Sequence, residues 1–67
     1  MSVARITEIS STSTQGFEDA IRQGIERATR TLRGVTSAWV QEQTVSLEDG
    51  RIKHYQVNLR ITFVLDQ

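Results

Sequence analysis

YQVNLRITFVL, residues 55–65, alternates apolar and polar side chains from Tyr55 to Phe63. Tyr55, Val57, Leu59, Ile61, Phe63 and Leu65 fall on one face, and Gln56, Asn58, Arg60, Thr62 and Val64 on the other. Side chains of a strand point alternately to opposite faces, so this period of two predicts a long strand with one face in the core. Just upstream, Asp49-Gly50 is a hairpin signal, because a type I′ turn needs positive φ at both central residues. A second strand is therefore expected from about Ser37 to Glu48. A two-residue turn sets Glu48 opposite Arg51 and counts back from there. Ala38 then faces Ile61, Val40 faces Leu59 and Thr44 faces Tyr55 on the core side. On the far side Trp39 faces Arg60, Gln41 faces Asn58, Gln43 faces Gln56 and Val45 faces His54. Glu42 falls on the core side, opposite Val57, where an unpaired carboxylate is costly. A β-bulge, an arginine from another subunit, or a sheet that curls past its cover each resolve that conflict.

The cover is a helix. Between Phe17 and Leu32 the apolar residues are Phe17, Ala20, Ile21, Ile25, Ala28 and Leu32, on one face of a 3.6-residue period. Gly24 shares that face and predicts close approach of a strand or a second helix, since glycine costs about 1 kcal/mol against alanine in a helix. Gly16 is the expected N-cap and Gly34 the expected stop. Glu18 and Asp19 lie at the positive end of the helix dipole, and Arg27, Arg30 and Arg33 at the negative end. Glu18–Arg22 and Glu26–Arg30 have the spacing of helical ion pairs. Ahead of the helix, Val3 to Ile9 reads as a strand. Ser10–Thr14 reads as a loop, because these hydroxyls compete for backbone hydrogen bonds. The first strand has two options, pairing with the third strand or with the far edge of the second. The expected class is α+β, β-α-β-β, with a three-stranded antiparallel sheet wrapped around one helix.

A chain of 67 residues is one domain, and a domain of that size is marginal alone. Disulfides, metals or oligomerisation are the usual supports. The chain has no Cys and one His, so oligomerisation is the expected one. Eight basic residues balance eight acidic ones, which gives no electrostatic footprint for nucleic acid. No apolar run approaches the roughly 20 residues of a membrane span. The first residues lack the layout of a signal peptide, so a cytoplasmic location is expected. No Ser-His-Asp order, phosphate loop or paired acids point to catalysis, and His54 has no partner for acid–base work, so the chain is read as a non-enzyme.

The far face of the hairpin carries Ser37, Trp39, Gln41, Gln43, His54, Gln56, Asn58, Arg60 and Thr62. A planar polar ligand is one match for it, with a ring to stack on Trp39 and amides to read its edge. A subunit interface is the other, with Trp39 packed between copies and Arg60 over its ring. Gln56 likewise reads either a ligand or a neighbouring side chain.

The order strand, helix, long hairpin resembles the dodecins, small flavin-binding proteins. Glu8-Ile9, Phe17-Glu18-Asp19-Ala20, Thr31-Leu32-Arg33, Glu48-Asp49-Gly50, His54-Tyr55-Gln56-Val57 and Phe63-Val64-Leu65-Asp66 carry the resemblance across the chain. It implies a hollow homododecamer that stores flavin, riboflavin or FMN, by stacking it between tryptophans, with a glutamine on its edge. That glutamine corresponds to Gln56. The stacking tryptophan corresponds to Ser37, whereas this chain has Trp39, about 6.6 Å further along the same face. Gln56, Trp39, Ser37, Gln43 and Arg60 are accordingly the expected ligand residues. The alternative is a dodecin-like assembly that holds another small ligand or cation, coenzyme A or calcium, or is purely structural. Glu42, Glu48 and Asp49 are acidic, but no short run supplies the six to eight oxygens calcium takes.

Overall fold

Strand alternation, helical period and turn chemistry meet in a computed structural model that describes residues 3–65. Asp66, the last residue of the final matched stretch, lies outside the described residues. Strand β1 spans Ala4–Ser13, helix α1 Phe17–Thr31, strand β2 Val35–Glu48 and strand β3 Arg51–Val64. The sheet is antiparallel in the order β1-β3-β2, so the most strongly alternating strand is the central one. Of the two options for the first strand, pairing with the third is the one adopted.

β1 is longer than its apolar residues indicate. Ser10, Ser11, Thr12 and Ser13 were expected in a loop, but pair with Asn58, Val57, Gln56 and Tyr55. The long central strand offers a backbone partner at every step, and this ladder outweighs the weak local preference of serine for turns. Ser13 ends the strand buried. Its hydroxyl donates to Asp19 Oδ2 at 2.6 Å and accepts from the Gln15 N–H at 2.9 Å, which ties the strand end to the first helical turn.

Helix α1 starts after Gly16, whose backbone is extended and which supplies no side-chain cap. It buries Ala20, Gly24 and Ala28. These small residues lie over Val57, Leu59 and Ile61, all fully buried, with Phe17, Ile21, Ile25 and Leu32 packed around them. Phe17 meets Tyr55 edge to face, ring centroids 5.1 Å apart. A Cβ on Gly24 would lie 3.0 Å from Leu59 Cδ1 and 3.1 Å from Ser11 Cβ, so the close approach is to strands. Among the helical ion pairs, Arg22 bonds Asp19 and Glu26. The expected Glu18–Arg22 pair is displaced by Asp19, which the Ser13 hydroxyl and Gln23 already hold in place. The helix stops at Leu32, whose N–H reaches Ala28 O at 2.9 Å. Gly34, φ +72°, serves the entry to β2, where a Cβ would sit 2.8 Å from the Val64 carbonyl oxygen.

Asp49 and Gly50 both take positive φ, 53° and 75°, as a type I′ turn requires. The register counted from that turn holds at Glu48–Arg51 and again at Val40–Leu59, Trp39–Arg60 and Ala38–Ile61. Between them it is shifted by one. β3 carries an extra residue at Lys53 and β2 a compensating one at Gln41, so Glu42 pairs with Asn58, Gln43 with Val57, Thr44 with Gln56, Val45 with Tyr55 and Ser46 with His54. The expected pairs Gln41–Asn58, Gln43–Gln56, Thr44–Tyr55 and Val45–His54 are therefore replaced. The physical reason is Glu42: the bulge moves its carboxylate off the core side.

The molecule measures 51 × 18 × 13 Å, with a radius of gyration of 13.8 Å. A compact chain of this length has about 10.9 Å. Two fourteen-residue strands reach roughly 46 Å, whereas a fifteen-residue helix covers roughly 22 Å. The distal hairpin is left without a cover, and Val45, Leu47 and Ile52 are exposed there.

Candidate functional site

The face of the sheet turned away from α1 is built from the alternate residues of three strands. Four residues of β3 on this face have a neighbour on either side. Thr62 lies between Ile6 and Ser37, Arg60 between Glu8 and Trp39, Asn58 between Ser10 and Glu42, and Gln56 between Thr12 and Thr44. The core residues Val57, Leu59 and Ile61 fix the central strand from behind, and so set the direction of all four polar side chains.

Trp39 is 60% exposed, too much for an indole that has only packing to do. The Arg60 guanidinium carbon lies 5.6 Å from its ring centroid, within cation–π range. On its other side Arg60 Nε is 3.8 Å from Glu8 Oε2, near the outer limit of an ion pair. One row therefore runs carboxylate, guanidinium, indole across β1, β3 and β2. In the row two residues along β3, Asn58 Nδ2 donates to Glu42 Oε1 at 3.5 Å. The face thus offers an aromatic platform, one guanidinium, a carboxylate and the amides of Asn58 and Gln56. Those groups stack on a flat ring and read its edge by hydrogen bonds.

Of the residues expected from the sequence, Trp39, Arg60, Gln56 and Ser37 share this face, with Ser37 exposed and opposite Thr62. Gln43 does not: the bulge places it opposite Val57, on the helix side. Glu42 takes a place on the site face that the simple register denied it. Its signal was legible as a carboxylate assigned to the core. Gln41 Oε1 and Ser46 Oγ, at two of the three register shifts between β2 and β3, are enclosed without a hydrogen-bond partner.

Trp39 and Gln56 belong to rows four residues apart along β3, about 13 Å. A tricyclic ring centred on Trp39 does not span that distance, so one molecule touches both groups only if a second surface brings another copy of one of them. A recess of about 590 Å³, open to solvent, lies elsewhere on the protomer, between β1 and α1, lined by Ile9, Ser11, Gln23, Arg27 and Leu32.

The other polar cluster is at the helix start. Ser13 and Gln23 both donate to Asp19 Oδ2, and Arg22 bonds its Oδ1. The Ser13 hydroxyl above all, then Gln23 and Arg22, hold the Asp19 carboxyl below its ordinary value of 3.8, against the opposing effect of burial. His54 lines the same cleft, with Ser46 opposite it across the hairpin. Asp19 is fully occupied in joining β1 to α1, so the cluster is a structural tie. Among the described residues no group of three or more His, Cys, Asp or Glu side chains is placed to hold a metal ion, and Glu42, Glu48 and Asp49 do not converge. No helix among them is long and apolar enough to cross a membrane.

Comparison with known proteins agrees across the whole length. Residues 3–66 match the Dodecin family profile. The chain is 34% identical over 65 residues to the dodecin of Thermus thermophilus, covering 97% of this chain and 94% of that protein. Among solved structures, dodecin from Streptomyces davaonensis is 41% identical with a TM-score of 0.92, covering 98% of this chain and 97% of that one. Dodecin from Streptomyces coelicolor is 35% identical with a TM-score of 0.92, covering 98% and 94%.

Proposed function

This chain belongs to the dodecin family, and from that membership we propose that it is a cytoplasmic, non-catalytic, oligomeric flavin-binding protein that stores FMN or riboflavin as a homododecamer. The observation that carries the proposal is the 60%-exposed Trp39 on a face that also presents Gln56, Asn58 and Glu42. Trp39 stacks the isoalloxazine ring. Gln56, whose amide both donates and accepts, reads its pyrimidine edge. The 13 Å between their rows is bridged by a second copy, so the site is completed on assembly. Self-association has its own support in the elongated shape and in the uncovered Val45, Leu47 and Ile52. Exposed apolar groups of this kind mark interfaces, and pairing between copies also covers the open edges of β1 and β2.

A second reading is an assembly that holds another small ligand, such as coenzyme A, or a cation. Ser37 favours it, standing where the family resemblance puts the stacking tryptophan. Titration of riboflavin and FMN against the protein, followed by flavin fluorescence and paired with sedimentation analysis, separates the two. Quenching by wild type that weakens about tenfold or more in Trp39→Ala, on the scale of base–aromatic stacking, supports flavin storage. An assembled protein that quenches neither flavin supports the second reading. A monomer sinks both.

A further inference from the structure

Arg60 stands at the centre of the site face, yet its guanidinium lies over the ring that an aromatic ligand requires, 5.6 Å from the centroid. Resting on the flavin reading above, we propose that Arg60 is the specificity-determining residue of the Trp39 site. It leaves the indole when a flavin stacks there and takes the phosphate, so that the site holds FMN in preference to riboflavin.

Three observations carry this. First, the contact is exchangeable. Arg60 and its carboxylate partner Glu8 are 42% and 54% exposed in their side chains, and 3.8 Å apart. Such pairs add little, because water screens them and two long side chains must be ordered. Second, the displaced group wants an anion. A guanidinium presents a planar fork of donors that matches phosphate oxygens two at a time, and a phosphate offers more charge than Glu8 does. Riboflavin ends in a neutral hydroxyl and gives Arg60 nothing comparable. Third, the other cations of the three strands stand away from the indole, Arg51 opposite Glu48 at the hairpin end. Arg5 lies on the helix side opposite Phe63, and Lys53 pairs with Glu48 at the hairpin end. The face is therefore polarised, with amides and the Glu42 carboxylate in the rows nearer the turn and the guanidinium beside the indole. FMN is polarised likewise, with an imide edge at one end and a phosphate at the other.

The test is a pair of fluorescence titrations, FMN and riboflavin, on the assembled wild type, Arg60→Gln and Glu8→Gln. Wild type is expected to bind FMN about fivefold more tightly, the worth of one exposed charge pair. Raised salt should shrink that preference. Arg60→Gln should erase it by weakening FMN alone, with riboflavin unchanged or tightened because a competitor for the indole is gone. Glu8→Gln should tighten FMN alone. Equal affinities in wild type, or an Arg60→Gln that weakens both flavins alike, overturn the assignment and leave flavin storage standing. Quenching of neither flavin removes both.

Discussion

Gly24→Ala opposes two effects of similar size at one atom. Glycine inside a helix costs about 1 kcal/mol relative to alanine, so propensity alone makes the variant more stable. The added Cβ, however, would lie 3.0 Å from Leu59 Cδ1 and 3.1 Å from Ser11 Cβ. Neither neighbour has an easy retreat. Leu59 is fully buried, so its methyl has no open space to turn into. Ser11 Cβ is one bond from the main chain of a strand paired at that residue with Val57, so its relief requires a shift of β1. Overpacking of a filled site costs typically 1–3 kcal/mol, which leaves a net loss of about 1 kcal/mol. For a chain of this size that is a drop of roughly 4–8 °C in Tm. Thermal unfolding followed by circular dichroism checks it, with both proteins at one concentration because assembly shifts the apparent Tm. Leu59→Val shortens one of the two neighbours, so in that background Gly24→Ala should cost less. A Gly24→Ala protein as stable as wild type, or more so, would refute the reasoning that strand approach dictates this glycine.

Two further perturbations test the tie at the helix start and the entry to β2. The folded Asp19 carboxyl sits below its ordinary 3.8, so its contribution to stability is fully present above that value and is lost as pH falls through the lowered one. Wild type should lose urea resistance below pH 3.8, and Asp19→Asn and Ser13→Ala should both flatten that acid limb; parallel profiles from pH ~5 to ~2 would exclude the tie. Gly34→Ala places a side chain at φ +72° and 2.8 Å from the Val64 carbonyl oxygen. It should cost about 2 kcal/mol or more in urea unfolding, with a loss under about 0.5 kcal/mol counting against the close approach.

Much of the candidate site was readable because alternation in a strand is a local property. Given Tyr55–Leu65, the side facing away from the core had to carry Gln56, Asn58 and Arg60, and the turn at Asp49-Gly50 put Trp39 beside Arg60. Gln43 was misplaced and Glu42 missed for a single reason. A bulge adds one residue to one strand, and no local preference marks where it falls. The indication was energetic: a carboxylate set opposite Val57 had to go somewhere. The Ser10–Ser13 segment was misread in the same way, since its own side chains favour turns and its partners lie more than forty residues away.

By itself, the sequence determined that there are three strands and one helix, the turn, and the buried faces of α1 and β3, because periodicity and positive-φ chemistry act over a few neighbouring residues. Only the tertiary structure decided that β3 is central, that two offset bulges carry Glu42 to the site face, and that Asp19 answers to Ser13. These depend on which backbone groups find partners across the sheet and which charges escape the core, and contacts between distant residues settle both.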